Sequence, residues 1–339
     1  MADWQIVLVK ITAMFLVILV GWWARRRGYL AAKTTTVLSL FVVDVALPAL
    51  VFTQMLRTVT PAALREGWFA PLLMGVLIVI AYVAGLLVAP WFSHGEQRNT
   101  FVFLAAIPNW IFLPLPIVET MYGDAGVRTL LLDNVGAQLM LWTFGVWILH
   151  GSVTPREAFR NIATNPGLIA TALGIVVAFV IPSSRDWEMA SSASRSPFSL
   201  AASAVVQAMA MVGTMTISVS LLAIGAQLGD LKLHAHRPSR ALWGVLFARL
   251  IVGPLLTALV GWTILKAGVT VPEVPRRIGY LIATMPVAIS CSMFTERFGG
   301  DVSLGAQGIF YSTFFSLLTV PAIFFLINFH SSHTPPWNR

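Results

Sequence analysis

The sequence predicts an all-α polytopic membrane protein: ten transmembrane helices in two inverted five-helix repeats, with broken crossing helices 4 and 9. Three observations predict it. Of 339 residues, 57% are hydrophobic and only 11% charged, where a soluble domain carries about 25% charged residues. Uncharged runs long enough to cross a bilayer recur along the whole chain, and the mean hydropathy is +0.81. Two of those runs share a pattern of prolines and polar residues that ordinary membrane helices lack.

The ten runs cover residues 5–24, 37–56, 68–92, 100–121, 127–150, 166–182, 204–228, 241–265, 278–296 and 304–328. The first ends in "ARRR" and has no basic stretch ahead of it or A-x-A-like site after it. It reads as a membrane helix with a cytoplasmic C-terminal end, not as a cleavable signal. With both termini on the non-cytoplasmic side, eleven Lys and Arg fall in cytoplasmic loops and nine in the opposite ones. That bias is thin, and the arginine cluster after the first run sets the orientation. Residues 1–150 form the first repeat, 151–165 a cytoplasmic linker, and 166–339 the second repeat. Tryptophans such as Trp22, Trp23, Trp68 and Trp91 stand toward run ends, as in an interfacial belt.

The fourth run carries "AAIPNWIFLPLP" at 105–116, with Pro108, Pro114 and Pro116 around Asn109. Proline inside a helix costs about 3 kcal/mol. Non-helical backbone at membrane depth is tolerated only where protein or water satisfies it. The ninth run repeats the layout. "LAAIPNWIFLPLPIVETMYGDAG" and "LIATMPVAISCSMFTERFGGDVS" align Pro108 with Pro286, Glu119 with Glu296, and Asp124 with Asp301. Five runs separate the two, and an odd number inverts the second copy, the arrangement of secondary transporters built from broken helices. Half-helices starting at such breaks aim free N–H groups and positive dipole ends inward, which suits a carboxylate or similar anion.

Several stretches resemble the auxin efflux carrier family, within the wider group sharing the bile acid:sodium symporter fold. They are "FVVDVALPALVF" (41–52), "IPNWIFLPLPIVETMYGD" (107–124), "LLAIGAQL" (221–228), "RLIVGPLL" (249–256), "MPVAI" (285–289) and "YSTFFSLLTVPAIF" (311–324), in order along nearly the whole chain. The resemblance implies a scaffold of helices 1, 2, 6 and 7 and a transport domain of helices 3–5 and 8–10. It also implies elevator-type alternating access and an organic anion as substrate, such as auxin in plants or malate or malonate in bacteria. A bacterial inner (plasma) membrane location and a homodimer follow from the same resemblance. The sequence departs from the family where Trp110 and Ile111 follow Asn109, where Pro114 replaces a usual glycine, and where Ser290 replaces asparagine. The departures point to a narrower pocket, or one shaped for an aromatic or smaller ligand. The acidic sodium ligand of bile acid carriers has no counterpart in "MPVAISCSMF".

The candidate substrate-binding residues are Pro108, Asn109, Trp110, Pro286, Ser290, Cys291 and Asn134, with Ser292 beside them. Asn109 either donates to a carboxylate or only satisfies the break. The small residues either complete a pocket or let helices pack closely. Asp133 and Asp44 are candidates for proton or ion coupling, because an intramembrane carboxylate is costly and is read first as functional. The alternatives are a wet position near the outer surface for Asp133, and a pairing or interface role for Asp44. Lys10 reads as a side chain that snorkels to the surface; Arg249 either snorkels toward the cytoplasm, the reading preferred from sequence, or supplies positive potential to an anion. "HAH" at 234–236 reads as solvated rather than metal-binding, and the polar loop 183–200 shows no chemistry.

A net charge of +8 does not indicate nucleic acid, because the basic residues are spread over short loops. The one cysteine excludes an intrachain disulfide and a cysteine metal cluster. No Walker or H-E-x-x-H motif is present, and the sequence gives no cofactor. The expected partners are a small organic anion, membrane lipid and a second copy of the chain. A ligand-binding membrane receptor or scaffold on a transporter fold is the alternative, and an intramembrane enzyme a more distant one.

Overall fold

The computed structural model describes residues 3–95, 97–151, 154–182, 184, 197–230 and 239–329. Every regular element among the described residues is a helix, and no strand is present among them. The chain runs α1 (Asp3–Arg26), α2 (Ala32–Phe41), a π-helical turn at Val42–Ala46, α3 (Leu47–Thr58), α4 (Pro61–Gly67), α5 (Ala70–Phe92) and α6 (Gln97–Ala106). It continues as α7 (Pro114–Met140), a π turn at Leu141–Gly145, α8 (Val146–His150), α9 (Pro155–Ala163), α10 (Pro166–Val180) and α11 (Pro197–Asp230). Then come α12 (Arg240–Phe247), a π turn at Ala248–Val252, α13 (Gly253–Lys266), α14 (Glu273–Thr284), α15 (Ser290–Arg297) and α16 (Val302–Phe329).

Four described helical stretches are long and apolar enough to cross a membrane: 33–58, 61–92, 199–227 and 240–266. A fifth arises if α9 and α10, bent by 59°, count as one. This is a polytopic, all-helical membrane protein. The fourth and ninth sequence runs contribute no unbroken span, because each is divided: α6 stops at Ala106 and α7 starts at Pro114, while α14 stops at Thr284 and α15 starts at Ser290.

Two helices start earlier than the apolar runs suggest. α2 includes "AKTTT", whose polar character masks a helix start. Thr35 Oγ1 donates to the Ala31 carbonyl and Ser39 Oγ to that of Thr35, so the hydroxyls are satisfied by the preceding turn. α11 begins at Pro197, where the fixed φ of proline suits a first helical turn.

The helices pack in two groups. α1 lies along α11, and α3 packs on α10 and α11. α5 packs on α6, α7, α12 and α13, and α14 packs on α7 and α16. The α1–α11 approach is close enough to require glycine. A Cβ on Gly21 would stand 2.2 Å from the Leu222 carbonyl oxygen, and one on Gly225 would stand 1.9 Å from that of Ile18. Small residues at such positions let membrane helices meet backbone to backbone. Between the groups, Arg57 at the end of α3 pairs with Asp124, and Arg128 Nη1 donates to the Thr58 carbonyl at 3.0 Å. Asp124 follows Gly123, whose φ of 54° turns the chain within α7.

Candidate functional site

The two breaks meet. Pro108 and Val287 form an isolated antiparallel bridge. The Asn109 N–H donates to the Pro286 carbonyl at 2.7 Å, and the Ala288 N–H donates to the Ile107 carbonyl at 3.1 Å. Each proline therefore sits where its missing N–H is not needed, and the freed backbone of one break satisfies that of the other. The Val287 N–H is taken by Ser312 Oγ of α16 at 3.0 Å.

Asn109 is buried. Its Oδ1 accepts from the Phe112 N–H at 3.2 Å, covering one open donor ahead of α7. Pro114 then opens α7 at a position where proline is well suited. Trp110, also buried, donates from Nε1 to Asn134 Oδ1 at 2.8 Å. The Asn134 amide nitrogen and the Asp133 carboxyl oxygen Oδ1 are buried with no hydrogen-bond partner. Breaks and α7 thus bring together Pro108, Asn109, Trp110, Pro286 and Asn134, with Asp133 the immediate chain neighbour of Asn134.

On the other side of the crossing, Ser290 opens α15 and Cys291 is fully buried, its N–H donating to the Ala288 carbonyl. The side chains of Ser292 and Lys10 lie outside what is described, as do residues 234–236 and most of 183–200. Asp44 stands apart. It is exposed, on the π turn that packs against α10 and α11. Among the described residues no three His, Cys, Asp or Glu side chains gather to hold a metal ion.

One residue corrects the sequence reading. Arg249 does not snorkel: it is 1% exposed and lies at the crossing. Its Nε donates to the Met285 carbonyl at 3.1 Å, Nη1 to that of Ala105 at 3.0 Å, and Nη2 to that of Ala283. The π turn at Ala248–Val252 carries it, and such turns are frequent at functional sites. Its depth, eight residues into an otherwise uncharged run, was the available signal. Ser312 had none, because a serine in an apolar helix also packs without a partner.

The comparisons with known proteins bear on the whole chain. The family model described as membrane transport protein matches residues 6–160 and 155–324. The chain belongs to this family, the auxin efflux carriers. Two archaeal relatives align over nearly their full lengths. An uncharacterized transporter of Methanocaldococcus jannaschii is 21% identical over 317 residues, 91% of this chain and 94% of its own. An uncharacterized transporter of Methanothermobacter thermautotrophicus is 22% identical over 318 residues, 92% and 95% of the two chains. As an auxin efflux carrier family member the protein is an integral membrane transporter.

Proposed function

We propose that this auxin efflux carrier homologue is a secondary carrier that moves a small organic anion, a carboxylate, bound at the crossing of the two breaks. The observation that carries the reading is the pairing of residues 107–109 with 286–288, beside a buried asparagine and the start of α7. α7 and α15 begin just past the breaks, so their N-terminal N–H groups and dipoles favour an anion there. Asn109 uses its oxygen locally, which leaves its amide N–H groups to donate to a ligand. Asn134 adds a second amide nitrogen that is buried without a partner.

In this reading the ten runs are ten spans in two inverted repeats, residues 1–150 and 166–339 joined by a linker at 151–165. The helix group of α1, α3, α10 and α11 is the scaffold, and the group around α5, α7, α12–α14 and α16 slides past it to give alternating access. The packing of α1 on α11 and of α5 on α7 supports that division. Asp133 carries a proton. A plasma-membrane, bacterial setting with both termini outside, contact with lipid, and a homodimer complete the proposal. No chemical step is involved, so the protein is not an enzyme.

Uptake of radiolabelled mono- and dicarboxylates into sealed proteoliposomes tests this, with and without proton and sodium gradients. Accumulation of one class supports the carrier. Binding with no accumulation under any gradient would favour a receptor built on the transporter fold. Asn109→Ala is expected to weaken binding of that carboxylate by about 10- to 100-fold, the value of one hydrogen bond to a charged group. Titration calorimetry on the purified variant checks it, and unchanged affinity removes Asn109 from the site. Asp133→Asn is expected to flatten the pH dependence of uptake; a variant keeping the wild-type profile ends the proton role.

A further inference from the structure

Arg249 is not used by the anion-binding argument above, yet it is among the largest fully buried side chains of the protein. In carriers with broken helices, unwound carbonyls and the C-terminal ends of half-helices hold the coupling cation, while the N-terminal ends hold the anion. Here the C-terminal ends are those of α6 and α14. Ala105 lies in the last turn of α6, Ala283 in the last turn of α14, and Met285 just beyond it. Arg249 takes a carbonyl from each of the three, one per guanidinium nitrogen.

We propose that the Arg249 guanidinium is the resident cation of the crossing: it holds the carbonyl ends of both half-helices in the place of an alkali coupling ion, so the protein binds its ligand without Na⁺ or K⁺. Three features support this. The donors reach both half-helices at once, through the planar fork that suits a guanidinium and not an ammonium. Among the described residues no carboxylate pairs with Arg249, so its charge is balanced by carbonyl dipoles and its field remains for an anion bound at the crossing. The side chain is tethered to the turn between α12 and α13, so it stays with the protein when the ligand leaves.

The inference rests on the crossing being the binding site, but its test needs no transported substrate. Thermal unfolding of the detergent-purified protein is followed in NaCl, KCl and choline chloride at one ionic strength. The wild type is expected to unfold at the same temperature in all three. Arg249→Ala is expected to unfold several degrees lower, and to recover much of the loss in low-millimolar ethylguanidinium, which leaves the wild type unaffected. Choline at the same concentration is expected to give no recovery. Wild-type protein stabilised by Na⁺ or K⁺ over choline overturns the proposal, as does an Arg249→Ala protein as stable as wild type or one indifferent to ethylguanidinium. Should Arg249→Ala not fold, Arg249→Lys takes its place. A lysine variant several degrees less stable than wild type supports the need for a fork; one equal to wild type overturns it. A protein that ignores alkali cations yet takes up no carboxylate fails the carrier reading and leaves this one standing.

Discussion

Gly225→Leu is expected to leave little or no folded protein. The first side-chain carbon alone would stand 1.9 Å from the Ile18 carbonyl oxygen and 2.8 Å from the Trp22 nitrogen. Both are backbone atoms of α1, so no flexible side chain can move aside. The facing contact is equally tight, with Gly21 against the Leu222 backbone. α1 and α11 must therefore separate along their shared face. Overpacking a core with extra methylenes costs typically about 1–3 kcal/mol when side chains can adjust. Here a whole helix pair has to part, so the loss exceeds that range. The yield of monodisperse protein after detergent extraction measures it. Val20→Leu, at an exposed position of α1, is the control and should extract like wild type. Normal yield and unchanged unfolding temperature for Gly225→Leu would refute the close contact.

Trp110→Ala is expected to be the most damaging change at the crossing. Truncating a buried tryptophan costs about 3–5 kcal/mol in lost burial and cavity formation. The same change removes the Nε1 donor to Asn134, whose amide nitrogen already has no partner. Leaving a buried polar group unsatisfied costs about a further 1–3 kcal/mol. Against a typical total of about 5–15 kcal/mol, the variant is on the edge of unfolding. Trp110→Phe separates the two effects, because it keeps most of the volume and loses only the hydrogen bond. It should fall by about 1–3 kcal/mol. Thermal unfolding of both variants checks this, and equal losses would mean that the hydrogen bond carries nearly all the effect.

Much of this fold is written locally. Three prolines within nine residues cannot sit in one unbroken helix, so the break at 107–113 is legible from Pro108, Pro114 and Pro116 alone. Gly123 and Asp124 mark the next turn in the same way. Helix starts were less legible where polar residues are satisfied by their own preceding turn, as at Thr35 and Ser39. The candidate site was legible by composition but not by connection. The sequence marks Trp110 and Asn134 each by residue type, but a contact between residues 24 apart follows from the fold of α7 back onto the break. Arg249 shows the limit more clearly. Counting residues gives its depth in the membrane, and depth alone allows either a long reach to the surface or burial. The choice is made by carbonyls 34 to 144 residues away, which no local pattern reveals.

The backbone bridge at Pro108 and Val287 has a mechanical consequence. The cradle cannot be opened by drawing its two halves apart. That would orphan the Asn109 and Ala288 donors and the carbonyls facing them, and would pull Arg249 off either the Ala105 carbonyl or those of Ala283 and Met285. An unsatisfied backbone group in hydrocarbon costs several kcal/mol. The stitching therefore makes one solid piece of the four half-helix ends, unlike a pair of doors. In the carrier proposed above, cargo held there would ride with its seat while the walls on either side exchange places.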